Sequence, residues 1–291
     1  MIGFNLIGKL GKLGNDMFQS SALIGIAKHR GFDYCIPDHS EFTDYGGYEH
    51  HELQGCFELP HFEGKYGIVN GGRMDIFQYD FCEKFMNECP DNISIFGYFQ
   101  TEKYFKHCEN IIRENFTFKS FIQEKCLKYG ENFLSENPVA LHVRRGDFLA
   151  PKNYYKHFVC HLDYYENAVK LFPNRKFLIF SDDIDWCKNQ KLFLDNECFF
   201  VDNNIEIYKA HFDLCLMTMC NDFIIANSTF SWWGAWLSSN QNKKVIAPET
   251  WFGKEYYESE KSNTKDLLPE NWIRVKNIIS NYKKSKVLNY S

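Results

Sequence analysis

The chain has 291 residues, 44% of them hydrophobic and 24% charged, the balance of a soluble globular protein rather than a disordered one. That length suffices for one large domain or two of ordinary size. A net charge of -5 argues against a general nucleic-acid binder, because a phosphate backbone calls for a basic face.

The 11 cysteines are scattered, with no C-x-x-C pair and no zinc-finger spacing, so free thiols in a reducing compartment are expected. "MIGFNLIG" lacks the charged start and long apolar stretch of a secretory signal, and no run of about 18 apolar residues could span a bilayer. The expectation is a cytoplasmic protein, either free or peripheral at the inner face of the membrane.

In chain order, "IGFNLI" predicts a short strand and "GKLGKLG" a glycine-punctuated loop. "DMFQSSALIGIAKHRG" over 16–31 places apolar residues at helical spacing and ends at Gly31. "FDYCIP" predicts a second strand, so the chain opens β-α-β. From about 38 to 135 the period weakens, and Gly- and His-rich sequence predicts loops and short strands. His50 and His51, with His39 and His61 nearby, match no standard metal spacing, because adjacent side chains point apart. "ISIFGYFQTEKYF" predicts a strand feeding a helix, and 109–134 reads as largely helical.

The second half is cleaner. "VALHV", "KFLIFS", "CFFVD", "DFIIAN" and "KKVIAP" predict apolar strands. They alternate with helical "LDYYENAVKLF", "DWCKNQ", "EIYKAHFDLCLMTMC" and "STFSWWGAWLSS". Such alternation means a parallel sheet covered on both faces. The expected fold is α/β with two Rossmann-like domains facing a cleft, 1–137 and 138–291. Ligands of parallel sheets bind beyond the carboxyl ends of the strands. His142–Asp147, Ser181–Asp183, Asp202–Asn204 and Asn227–Thr229 all fall on that rim.

"LHVRRGDF" ends a buried strand with an imidazole, two guanidiniums and a carboxylate, and buried charge requires a partner or a ligand. Strand period puts His142 and Arg144 on one face and Arg145 on the other, leaving one arginine for a ligand while the other pairs internally, with Asp147 as a candidate. An arginine fork there suits a phosphate; a buried ion-pair network is the competing reading. Ser228 and Thr229 open the next helix, whose free N–H groups would favour an anion, although plain capping explains most such starts. The indoles of "SWWGAW" fit either a core or a ring-shaped ligand. Asp183-Ile184-Asp185 forms a D-x-D, read as helix capping or direct ligand contact ahead of a metal site. "GKLGKLGND" fits neither a P-loop nor G-x-G-x-x-G.

Taken together, "GKLGNDMFQ", "GYFQTEKYF", "HVRRGDF", "FSDDIDWCK" and "NSTFSWWGAWL", in that order, resemble the α-1,2-fucosyltransferase family, glycosyltransferase family 11. Two positions depart from its usual pattern: Lys12 replaces Arg, and Asp16 replaces Gln. The resemblance implies a GT-B fold. The donor, GDP-fucose, would sit mainly in the C-terminal domain, and a β-galactoside-terminated glycan would serve as acceptor. It also implies inversion at C1 and no metal or other cofactor.

On that reading Arg144, His142 and Asp147 are the expected catalytic residues. Asn15, Arg145, Ser181, Asp182, Asp183, Asp202, Asn227, Ser228, Thr229 and Phe230 would bind the donor. Asp16, Gln19, Trp232 and Trp233 would bind the acceptor. Asp147, His142 and Asp16 remain open as general base. The rival readings are a fucosyltransferase of another linkage, α-1,6 or protein O-linked, and a carbohydrate-binding protein without turnover.

Overall fold

The computed structural model describes residues 1–38, 52–153, 156–202, 209–253 and 263–277. His39, His50, His51, Asn203 and Asn204 lie outside them. The chain begins with β1 (Ile2–Gly3), α1 (Leu13–Arg30) and β2 (Tyr34–Cys35), then α2 (Leu53–Cys56), β3 (Arg73–Ile76), α3 (Glu83–Glu88) and β4 (Ser94–Gly97). These strands form a parallel sheet in the order β2-β1-β4-β3. The strand expected over 2–7 is only two residues long. The largely helical 109–134 is two helices, α4 (Glu109–Asn115) and α5 (Ser120–Gly130), broken at Phe116–Lys119.

Helix α1 is buried on every side from Met17 to Ala27, so it shows little of the one-faced pattern of a surface helix. Gly31 stops it in the left-handed region at φ 69°, returning its N–H to the Ala27 carbonyl.

The second sheet is built from β5 (Val139–Val143), β6 (Phe177–Ser181), β7 (Cys198–Phe200), β8 (Asp222–Ile224), β9 (Val245–Pro248) and β10 (Ile273–Val275). Between them run α6 (Leu162–Val169), α7 (Ile184–Lys188), α8 (Lys191–Leu194), α9 (Lys209–Thr218) and α10 (Thr229–Leu237). All pairings are parallel, in the order β10-β9-β8-β5-β6-β7. The chain winds outward from β5 to β7, then returns beside β5 and winds the other way. The reversal between β5 and β8 opens a crevice at their carboxyl ends, where such sheets bind ligands. The edge strand β10 has no counterpart among the expected strands; like β3 it is largely exposed and carries no apolar run.

Strand alternation divides β5 between two cores. Val139, Leu141 and Val143 pack towards Tyr164 and Tyr165 of α6. Ala140 faces the larger core, which runs continuously from Phe18 of α1 through Phe105 and Phe116 to Trp232 and Trp233 of α10. Helix α5 precedes position 138 yet packs on α9, with Tyr129 edge-to-face on Phe212 at 5.3 Å. All 11 cysteines are free, nine of them buried.

Candidate active site

Strand β5 ends at Val143, so Arg144 and Arg145 leave the sheet and diverge. Arg144 donates through Nη2 to Asp147 Oδ1 at 2.6 Å, and its Nη1 lies 3.0 Å from Asp182 Oδ2. Arg145 donates through Nε to Asp183 at 2.9 Å and lays its guanidinium 3.8 Å from the centroid of the Trp186 ring. This corrects the expected pairing: Asp147 belongs to Arg144, and the internally committed arginine finds Asp183 and an indole. The Arg145 backbone N–H also donates to Asp182, 2.9 Å away. The turn closes because position 146 is glycine; a Cβ there would lie 2.3 Å from Asp182 Oδ2.

Across the crevice two helix N-termini meet. Gly14, in the first turn of α1, packs so closely against α10 that a Cβ would lie 2.6 Å from Thr229 Oγ1 and 2.8 Å from the Phe230 nitrogen. The Gly14 carbonyl accepts from Trp233 Nε1 at 3.0 Å. Ser228 is the N-cap of α10, but its side chain makes no capping hydrogen bond. Asn15 donates to the Leu10 carbonyl and accepts from Gln100 Nε2 at 2.8 Å, which fixes its amide at the start of α1. The N-terminus of a helix carries positive potential, and here two of them lie side by side.

His142 is the link between the two groups, its ring 5.6 Å from that of Phe230. Burial, with the Arg144 charge adding to it, pushes its pKa down to about 3. A base that weak is poorly matched to proton transfer near neutrality, so the structure argues against His142 in that role.

Several expected ligand contacts are corrected. The Asn227 amide is buried and donates to the carbonyls of Phe158 and Trp251, while the Cys160 thiol donates to its Oδ1; it fastens loops and does not face the crevice. The Ser181 hydroxyl is buried and accepts from Asp183 N. Trp232 and Trp233 are fully buried, with their N–H groups on the carbonyls of Leu267 and Gly14, so they are core and not a stacking platform. Asp16 and Gln19 lie buried one turn apart on α1, and neither reaches the surface. Burial, reinforced by Glu52, raises the Asp16 pKa well above the ordinary carboxylate range, while the Glu52 N–H it accepts opposes that shift. Among the described residues Gln19 has no hydrogen-bond partner for either polar atom of its amide.

The D-x-D separates. Asp183 caps α7 by accepting from Trp186 N, whereas Asp185 is exposed and lies 3.9 Å from Lys188. Asp202 follows β7 on the rim and pairs with Lys188. Among the described residues no group of three His, Cys, Asp or Glu side chains is placed to hold a metal ion. His61 pairs with Glu114 at 2.9 Å. Sequence reasoning gave no role to Gln100, Trp186 or Phe148, which orient Asn15, Arg145 and Arg144 respectively. All three lay in or beside the quoted motifs, but nothing in their spacing showed which neighbour they would hold.

A doubly wound parallel sheet, with arginines and a helix N-terminus at its switch point, is an arrangement suited to binding a phosphate-bearing ligand. The crystal structure of POFUT1 in complex with GDP superposes with a TM-score of 0.51 at 13% identity, covering 84% of this chain and 97% of that one. The shared fold is the GT-B arrangement of glycosyltransferases.

The model of Glycosyl transferase family 11 matches residues 68–276, and the chain belongs to that family. An Alpha-1,2-colitosyltransferase of Escherichia coli is 29% identical, over 91% of this chain and 96% of that protein. Galactoside alpha-(1,2)-fucosyltransferase 2 of Hylobates lar is 26% identical, over 81% of this chain and 69% of that protein. Among the described residues no helix is long and apolar enough to cross a membrane.

Proposed function

We propose that the protein transfers fucose from GDP-β-L-fucose to the 2-hydroxyl of a terminal β-galactoside, with inversion at C1 and without a metal ion. The observation that supports this reading is that β5 leads into Arg144, on Asp182, while nearby His142 lies 5.6 Å from Phe230 in the first turn of α10, which packs on the start of α1. Breaking the bond from C1 to the β-phosphate oxygen leaves its electron pair on GDP. The principal electrostatic task is to stabilise that charge. Arg144 supplies a planar fork, Ser228 and Thr229 supply hydroxyl and backbone donors, and Asn15 closes from the first sheet. The acceptor oxygen bonds to C1 from the opposite side as the phosphate leaves.

Its proton then needs a base. His142 is too weak, and Asp16 is buried with a raised pKa. Asp147, exposed and one turn from Arg144, is the carboxylate left to receive it. A second reading changes only the donor sugar. The similarity to a colitosyltransferase over 91% of the chain supports GDP-colitose as the alternative.

The test is incubation with GDP-fucose or GDP-colitose and a panel of lactose, type 1 and type 2 chains, followed by linkage analysis. An α-1,2-fucosylated galactoside is expected, at a rate that EDTA leaves unchanged. Turnover with GDP-colitose alone, or a different linkage, would overturn the substrate assignment. Activity lost in EDTA and restored by Mn²⁺ would overturn metal independence. Calorimetry with GDP excludes a lectin, which would ignore the nucleotide.

A further inference from the structure

The two carboxylates on Arg144 are held very differently. Asp182 lies in the turn: it accepts the Arg145 backbone N–H at 2.9 Å, sits 3.0 Å from Arg144 Nη1, and is overlaid by Gly146, which has no Cβ to displace it. Only 25% of its side chain is exposed. Asp147 is 53% exposed, and among the described residues its carboxylate bonds to Arg144 Nη2 at 2.6 Å. An ion pair that open to water contributes little and exchanges readily. Yet Nη2 is the donor that a phosphate oxygen would take while Nη1 stays on Asp182.

We infer that Asp147 is an internal competitor for the diphosphate: the donor's phosphate replaces it on Arg144 Nη2, and the displaced carboxylate is thereby delivered to the acceptor hydroxyl. This inference rests on the proposed donor site and goes beyond it by giving Asp147 two successive partners. Donor binding and base release then become one event. A carboxylate still paired with a guanidinium is a poor proton acceptor, so the acceptor sugar meets a competent base only after the nucleotide is in place.

The consequence is a pair of effects of opposite sign. Removing the charge at Asp147 takes a competitor off Arg144, so GDP should bind more tightly while turnover falls. A residue that merely positions Arg144 would weaken GDP binding when removed.

The experiment is isothermal calorimetry with GDP, together with steady-state kinetics, on the unsubstituted protein, Asp147→Asn, Asp147→Ser, Asp185→Asn and Arg144→Ala. Both Asp147 variants are expected to lower the GDP Kd about twofold to tenfold and to lower kcat by at least tenfold. Asp185 is exposed and makes no contact with Arg144, so Asp185→Asn should leave the Kd within about twofold and serves as the control for general charge. Two Asp147 variants guard against a folding defect in either, and both exposed substitutions are checked by thermal melting. If Arg144→Ala weakens GDP binding while the Asp147 variants weaken it or leave it unchanged, this inference fails and the donor site survives. If Arg144→Ala leaves the Kd unchanged, the donor-site reading falls and takes the inference with it.

Discussion

Arg144 offers a rigid two-donor fork, and its value lies in being held ready by Asp182 and by the Phe148 ring beneath it, 5.5 Å from the guanidinium. Arg144→Ala should lower kcat about tenfold to a thousandfold, the scale for removing one preorganised donor. Arg144→Lys should recover little of it, because an ammonium lacks the rigid plane that holds Asp182 with one nitrogen and presents the other to a phosphate oxygen; full rescue by lysine would show that charge alone suffices. Asp16 presents the opposite case, a carboxyl buried almost completely in the first turn of α1. Its pKa is raised on folding, so its contribution to stability is complete below the ordinary carboxylate value and declines as pH rises towards the folded value. Asp16→Asn keeps the acceptor for the Glu52 N–H and removes the titration. The variant should therefore melt several degrees higher at pH 7, with the gain shrinking towards pH 4. A melting gain that is constant with pH would show that Asp16 carries no charge penalty in the folded state.

Helix α10 is held at both ends. At its C-terminus Arg113 donates to the carbonyls of Trp236 and Leu237, and Lys243 donates to those of Trp236 and Ser238. These cations satisfy carbonyls that a helix end leaves open. Burial, with Arg113 nearby, pulls the Lys243 pKa down to about 8. At the N-terminus Gly14 sets the distance to α1. Gly14→Ala would force the helices apart at Thr229, and overpacking of this kind costs about 1–3 kcal/mol. A lower melting temperature and a fall in kcat/KM are expected together; a normal rate in a destabilised variant would separate the junction from the chemistry. The sequence could not reveal this junction, since a glycine beside a loop reads as a turn and its distant neighbour is invisible. What it did reveal follows from burial. "VALHV" and "KFLIFS" are mostly apolar because both faces of β5 and β6 are covered, and that identified the parallel sheet and its polar rim. The Trp232-Trp233 pair misled for a physical reason: a stacking platform and a core need the same rings, and only solvent exposure tells them apart.

At the scale of the whole molecule, those indoles decide whether the two sheets are independent. Trp233 packs on Phe18 at 4.9 Å, on Phe105 at 5.5 Å and on Phe116 at 5.3 Å, all of which precede position 138. Trp232 lies 4.5 Å from Phe18 and joins the same core to Trp272. Each fully buried ring of this kind contributes about 2–3 kcal/mol relative to exposure, so the shared cluster rivals the roughly 5–15 kcal/mol by which a folded protein exceeds its unfolded chain. Helix α5 adds to the argument, since cutting the chain at 137 would also strip it from α9. Residues 138–291 expressed alone are therefore expected to bind a hydrophobic dye and to melt without a cooperative transition. The full chain should unfold in one calorimetric transition, its van't Hoff and measured enthalpies agreeing. Two separated transitions, or a cooperative isolated C-terminal half, would mean that the rings between the sheets can part in water. Donor closure would then move one sheet as a rigid body against the other. If instead the core holds, closure over the nucleotide must come from the side chains and loops at the rim, such as the half-exposed Asp147 on Arg144.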